Sequence, residues 1–264
     1  MKKFVLPAII FLTTFWIYFG ISTQWSFRPK WVLDYFNPLA ESLLHGRLDI
    51  VNPPVTYDLV HIGGKWYAPW GILAALFLLP IQAIKGRFIP PLYLTLLFAS
   101  ADVVVFYLLL RRIRLDFLAK LTSASLWLLL LLFAYGTTHV YVGTLGSVWH
   151  VDQMVTNVFG TLGVYFIFKK KRTINDYLYS ICSFGVALLG RATLVLLVTL
   201  PAVLYTWDYL LGIRVSPKQR KQAIIRGIFL FGIPLGFFTV LFFAYNRLRF
   251  GSLFEYGYQF IVES

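Results

Sequence analysis

Long apolar runs alternate along the chain with short segments rich in Lys, Arg or aromatic residues, and the lengths of the runs are the first informative feature. An apolar helix needs about 20 residues to cross the hydrocarbon core of a bilayer. Eight stretches approach that length: roughly 4–22, 69–88, 91–110, 117–136, 148–168, 175–190, 192–211 and 226–246. The apolar run 175–211 is too long for one crossing, and Gly190-Arg191 near its middle predicts a tight hairpin between two helices. Residues 69–88 are ambiguous. Pro69, Gly71 and Pro80 interrupt them and Gly86 and Pro90-Pro91 follow, so this stretch could cross, re-enter or lie at the interface.

Charge decides between these, because Lys and Arg near the ends of spans favour the cytoplasm. With the N-terminus inside and 69–88 not crossing, 15 of the 24 basic residues fall inside and 9 outside. If 69–88 crosses, 7 fall inside against 17 outside. The pattern therefore predicts an all-α polytopic membrane protein, a single transmembrane domain over 1–264 with about seven transmembrane helices. Its first external loop, 23–90, contains juxtamembrane helices. Lys2-Lys3 before an apolar run also has the form of a signal peptide, with Gly20-Ile21-Ser22 as a cleavage site, but the length of the run and its aromatic end favour an uncleaved anchor.

Composition agrees. Only 13% of residues are charged, against about 25% in soluble domains, which sets soluble and disordered readings aside. A net charge of +13 would suggest nucleic acid in a soluble protein; here apolar runs separate the basic clusters, so the charge reads as topogenic and the partner as the lipid bilayer. The single cysteine, Cys182, excludes an intramolecular disulfide and any CxxC site.

Under this topology the unusual polar residues collect outside. In the first loop Leu39, Leu43 and Leu44 have helical spacing and Gly46 suits a stop, predicting an amphipathic helix on the membrane surface with Asp34 at its start. Asp34 is either a carboxylate beside a lipid headgroup or a cap of that helix. Further on, Gly63-Gly64 predicts a hairpin. Lys65 beside it is either a phosphate partner or an interfacial lysine next to Trp66, Tyr67 and Trp70. Glu41, His45, Asp49, Asp58 and His150 are candidates for binding an acceptor or shaping the loop. Asp102 lies mid-span, where a carboxylate is expected to be functional or paired, and is expected to hold helices together against Ser or Thr. His139, His150 and Asp152 match no compact metal-ligand spacing, so no cofactor is called for and a divalent metal stays open. Arg191, at a helical turn with no flanking charge, either binds phosphate through its fork of donors or snorkels to headgroups.

This inventory permits inverting transfer of a sugar from a lipid phosphate: Asp34 as the base, with Arg191, Lys65, Arg247 and Arg249 as phosphate partners. There is no P-loop, GxGxxG or soluble domain for a nucleotide-sugar. A transporter would predict internal repeats and polar residues spread through the spans, and neither is evident. A non-catalytic membrane assembly partner is the other alternative.

Asp34-Tyr35, Leu39-Ala40, Leu43 through Asp49, Gly64 through Pro69 and Leu79-Pro80 resemble the first external loop of bacterial GT-C membrane glycosyltransferases, relatives of the dolichyl-phosphate-mannose protein mannosyltransferases. Gly143 to His150, Leu188 to Thr193, Tyr245 to Ser252 and Glu255 to Tyr258 resemble uncharacterised members of that group, in order along nearly the whole chain. The resemblance implies a GT-C-like fold in a bacterial-type plasma membrane, with an external active site, a polyprenyl-phosphate-linked sugar as donor, an unknown acceptor and a catalytic acid at Asp34. The sequence departs from the group in two places: Tyr35 follows Asp34 where an acidic pair is common, and Ala192 follows Arg191 where proline is common. Such transferases are usually much longer, so the N-terminal part of a longer transferase is one reading of the chain.

Overall fold

The computed structural model describes residues 2–27, 32–86, 88–211 and 216–261. Arg87 and Arg214, which enter the charge balance, lie outside the described residues. The first helix, α1 (Lys2–Thr23), is apolar along its length and carries Pro7 in its second turn, where the missing N–H leaves one carbonyl of the first turn without its helical partner. A short helix follows, α2 (Phe36–Leu44). It buries Phe36, Leu39 and Ala40, and the chain leaves it through Gly46 at φ 68°, a left-handed conformation that glycine adopts without strain. Strands β1 (Val60–Ile62) and β2 (Lys65–Tyr67) pair antiparallel, turned by Gly63 and Gly64 at φ 57° and 73°. Two consecutive positive φ values are what a two-residue hairpin loop of the favoured twist requires. Helix α3 (Leu73–Lys85) carries the ambiguous apolar stretch and stops at Gly86. At 13 residues it rises only about 20 Å, short of the roughly 30 Å hydrocarbon core.

The described chain from Pro91 to Phe250 is mainly helical. Helix α4 (Pro91–Asp116) opens on a proline; α5 (Ser123–Tyr135) is capped by Thr122; α6 (Thr138–Gly143) is a short turn of helix; α7 (Val148–Ile167) follows. Helix α8 (Ile174–Gly190) starts with a capping box between Thr173 and Asp176. After Arg191 the chain runs as a 3-10 turn over Ala192–Val198 and continues as α9 (Thr199–Tyr209). The last helix, α10 (Pro217–Phe250), has 34 residues, about 51 Å at 1.5 Å per residue. It begins nine positions before the span expected at 226, because Ser216 and Gln219 form a capping box and Pro217 presets the first turn. Its basic start, with Lys218, Arg220 and Lys221, thereby joins the helix.

Helix α7 is the centre of the bundle, packed on α4 at one side and α8 at the other, with α1 covering α4, α10 covering α8, and α2 lying on α3. Among the described residues, four helical stretches are long and apolar enough to cross a membrane: Phe4–Thr23, Pro91–Asp116, Ala192–Tyr209 and Pro217–Phe250. The chain is thus a helical membrane protein. Its two ends differ in character. At one end Lys170 N donates to Asp116, Arg112 to Tyr165, and Arg172 to Asp208. At the other the first loop folds over the helix ends: Val148 N donates to Leu33 O, and Arg249 reaches the carbonyls of Ala68 and Trp70.

Candidate functional site

A cavity of about 780 Å³ opens under the first loop, walled by the 69–71 segment, the start of α7, the Gly190–Thr193 turn and the end of α10. That size is within the range of small-molecule sites. Two glycines bring its walls together. A Cβ on Gly71 would overlap the carbonyl oxygens of Leu189 and Gly190, and one on Gly190 would overlap the Thr156 hydroxyl. Only hydrogen at these positions lets the loop sit on the end of α8 and α8 sit on α7, and so delivers Arg191 to the cavity.

Arg191 is one-third exposed and donates through Nε to Asp152 Oδ2 at 2.7 Å, with a long contact from Nη2 to Trp149 O at 3.4 Å. Asp152 is buried, and its Oδ1 has no hydrogen-bond partner; nor has the buried hydroxyl of Tyr245, which also lines the cavity. Asp58 is the second cavity carboxylate, half-buried and held at φ 60°. Its position is fixed by its neighbour: the buried Tyr35 hydroxyl donates to Tyr57 O, and the Tyr35 ring stacks on Trp70 at 5.8 Å. Burial pushes the Tyr35 hydroxyl up to about 12, with the negative charge of Asp58 adding to the effect. The phenol therefore stays a donor, and the clamp on the Asp58 loop stays closed, throughout the physiological range. Trp70, Trp149 and Tyr256 supply aromatic surface around these charges.

The other expected site residues divide clearly. Arg249 lines the cavity, but it is buried, and its guanidinium reaches Ala68 O, Trp70 O, Tyr245 O and Asn246 Oδ1 while stacking on Tyr245 at 3.6 Å. Through these bonds it ties the first loop to α10. Lys65 is exposed on the hairpin and Arg247 is exposed on the last turn of α10; neither lines the cavity. His150 sits at the start of α7 with a ring nitrogen on the Ser147 hydroxyl. His45 closes the end of α2 through Glu41 O at 2.9 Å. Glu41 lines a separate cleft of about 310 Å³ together with Arg47, and Asp49 is half-buried outside the main cavity.

Asp34 has the bonds of a helix cap, the other role its position allows. Its Oδ1 accepts from Phe36 N at 3.0 Å and Asn37 N at 3.2 Å, and its Oδ2 from Asn37 Nδ2 at 2.6 Å. Asn37 in turn binds Ile89 and receives Gln82 Nε2 at 2.9 Å. Asp34 caps α2 and anchors it to α3, and it does not line the cavity. Burial raises its pKa above the ordinary carboxylate range, against the lowering effect of the Asn37 and Phe36 bonds. Asp102 pairs with His139 instead of Ser or Thr. Among the described residues no three His, Cys, Asp or Glu side chains converge to hold a metal.

What sequence reasoning missed was the partnership of Arg191 with Asp152, 39 residues away, and the promotion of Asp58 from loop residue to cavity carboxylate. A basic residue at a turn and an acid at a helix start signalled both groups separately, but nothing signalled that they meet. Comparisons with protein-family models, with curated proteins and with solved structures returned no match.

Proposed function

We propose that the protein is an outward-facing, inverting glycosyltransferase of GT-C-like, seven-span architecture that takes a sugar from polyprenyl phosphate. Seven crossings are obtained by counting α1, α4, α5 with α6, α7, α8, the 192–209 stretch and α10, with α3 dipping in from the outside. In this reading, which the charge balance favours, the N-terminus is cytoplasmic and the cavity faces outward from a bacterial-type plasma membrane. The observation that carries the reading is Arg191, one-third exposed at an aromatic-walled cavity between helix ends, with Asp58 on the same cavity.

In this chemistry an acceptor hydroxyl attacks the anomeric carbon as the bond from that carbon to the phosphate oxygen breaks. Asp58 takes the hydroxyl proton, and the guanidinium of Arg191 stabilises the charge that develops on the departing phosphate. Asp152 keeps Arg191 oriented by holding its Nε. Trp70 and Trp149 offer flat apolar faces to the sugar or the first isoprene units. The test is transfer by the full chain in lipid nanodiscs from a panel of radiolabelled polyprenyl-phosphate sugars, with equilibrium binding of farnesyl phosphate as a second readout. Transfer in wild type that is lost in Asp58→Asn supports the reading. Farnesyl phosphate binding that is indifferent to Arg191→Lys overturns it.

A further inference from the structure

A second cavity, about 360 Å³, lies deeper among the spanning helices, between α4, α6, α7 and the 192–198 turn. Neither Arg191 nor Asp58 lines it, and among the described residues no Lys or Arg does. Its chemistry is set by a buried polar cluster. The Tyr18 hydroxyl donates to Ala134 O, so the Tyr18 oxygen accepts the proton on His139 Nδ1, 2.9 Å away. His139 Nε2 lies 3.3 Å from Asp102 Oδ2 but makes no hydrogen bond among the described residues. Asp102 Oδ1 is a carboxyl oxygen able to accept one. Asp102 is only 2% exposed and His139 6%, yet Oδ1 has no hydrogen-bond partner. Inside a bilayer such an orphan is costly unless a ligand supplies the missing donor.

The opposite wall supplies uncharged hydrogen-bonding groups at helical spacing. Gln153, Asn157 and Thr161 follow at i, i+4 and i+8 on one face of α7, and Thr137 and Thr138 stand at the start of α6. Asn157 and both threonines are exposed at the rim, an unfavourable arrangement against lipid tails. Phe133, Leu194 and Leu197 complete the lining with apolar surface. A phosphate would find no counter-charge here. An uncharged group with several hydroxyls would give one proton to Asp102 and exchange others with the amides and threonines, while its non-polar side meets Phe133.

The geometry points to a second ligand site, for the neutral hydroxylated headgroup of a sugar- or glycerol-type amphiphile that enters from the bilayer and donates a hydroxyl to Asp102. It stands apart from the transferase reading, although Gln153 borders both cavities.

The test uses the full chain in nanodiscs and an alkyl glucoside with a photoreactive diazirine in its chain, with labelled peptides mapped by mass spectrometry. Labelling is expected on 137–142 and 153–161, with at least tenfold competition by octyl glucoside and little by octyl phosphate. Asp102→Leu should reduce labelling at least tenfold. Asn157→Leu, a change at the exposed rim that leaves the fold intact, should reduce it several-fold. Equal competition by free glucose would uphold the hydroxyl site and make its source a soluble polyol. Labelling elsewhere, equal competition by octyl phosphate or octylamine, or indifference to the Asn157 change would overturn the proposal.

Discussion

Two arginine–aspartate pairs sit at opposite ends of the bundle, and they are built differently. Arg172 grips Asp208 with Nε at 2.7 Å and Nη2 at 2.9 Å, sends Nη1 to Lys169 O at 3.0 Å, and shares Tyr177, whose hydroxyl donates to Asp208 at 2.5 Å. Both carboxylate oxygens are engaged. The hydrogen bond to Asp208 holds the guanidinium pKa above even its usual value. Arg191 has one short bond to Asp152, whose second oxygen is unpartnered although the residue is 1% exposed. The first pair is a closed staple between the ends of α8 and α9. The second orients an arginine on a cavity while leaving hydrogen-bonding capacity for something else. Pairing alone does not distinguish structure from function; unsatisfied capacity beside a cavity does.

Breaking the chemistry at the open end should give the largest effect. Under the proposed transfer, Asp58→Asn keeps the shape of the loop and removes the proposed proton acceptor, so transfer should fall by roughly 10²–10⁴-fold, with an unchanged thermal midpoint in detergent. Next, Arg191→Lys keeps the charge opposite Asp152 but loses the planar fork, and farnesyl phosphate should bind roughly ten- to a hundredfold more weakly. The closed pair should respond in the opposite sense. Arg172→Ala should leave farnesyl phosphate binding as it is and lower stability by about 2 kcal/mol, the value of charged hydrogen bonds discounted for partial exposure. Loss of binding in the Arg172 variant with no change in stability would dissolve the distinction.

The same contrast explains what could be read from the sequence. Helix α2 with its stop at Gly46, the hairpin at Gly63-Gly64 and the turn at Gly190-Arg191 are local: the spacing of leucines and the placing of glycines decide them within a few residues. The start of α10 was missed, because the capping box at Ser216 outweighs the polarity of the turn that follows it. Pairings across the bundle are set by packing. Tyr18 meets His139 across 121 positions because α1, α4 and α6 pack side by side, and no periodicity encodes such a meeting. Asp34 shows the limit most clearly. Its place before an amphipathic helix is equally suited to a cap and to a base, and only the three hydrogen bonds to Phe36 and Asn37 favour the cap.

The smallest predicted effect therefore separates most sharply the two roles of Asp34. As a cap, Asp34→Ala should cost about 1 kcal/mol, while asparagine, which caps about as well as aspartate, should cost almost nothing. As a base, Asp34→Asn would abolish transfer. Proton linkage adds a second signature. Burial raises the pKa of Asp34 in the folded protein above its unfolded value, so the folded state binds the proton more tightly. Stability then falls as pH rises from the ordinary carboxylate value, about 4, through the raised value, and is level beyond it. Asparagine does not titrate, so this slope should flatten in Asp34→Asn while the wild-type transfer rate is retained. Thermal midpoints measured across that window, with transfer assayed in parallel at neutral pH, check both outcomes in the same variant. A flattened slope with transfer intact leaves the cap as the role of Asp34; a lost rate would return the base to Asp34 and remove it from Asp58.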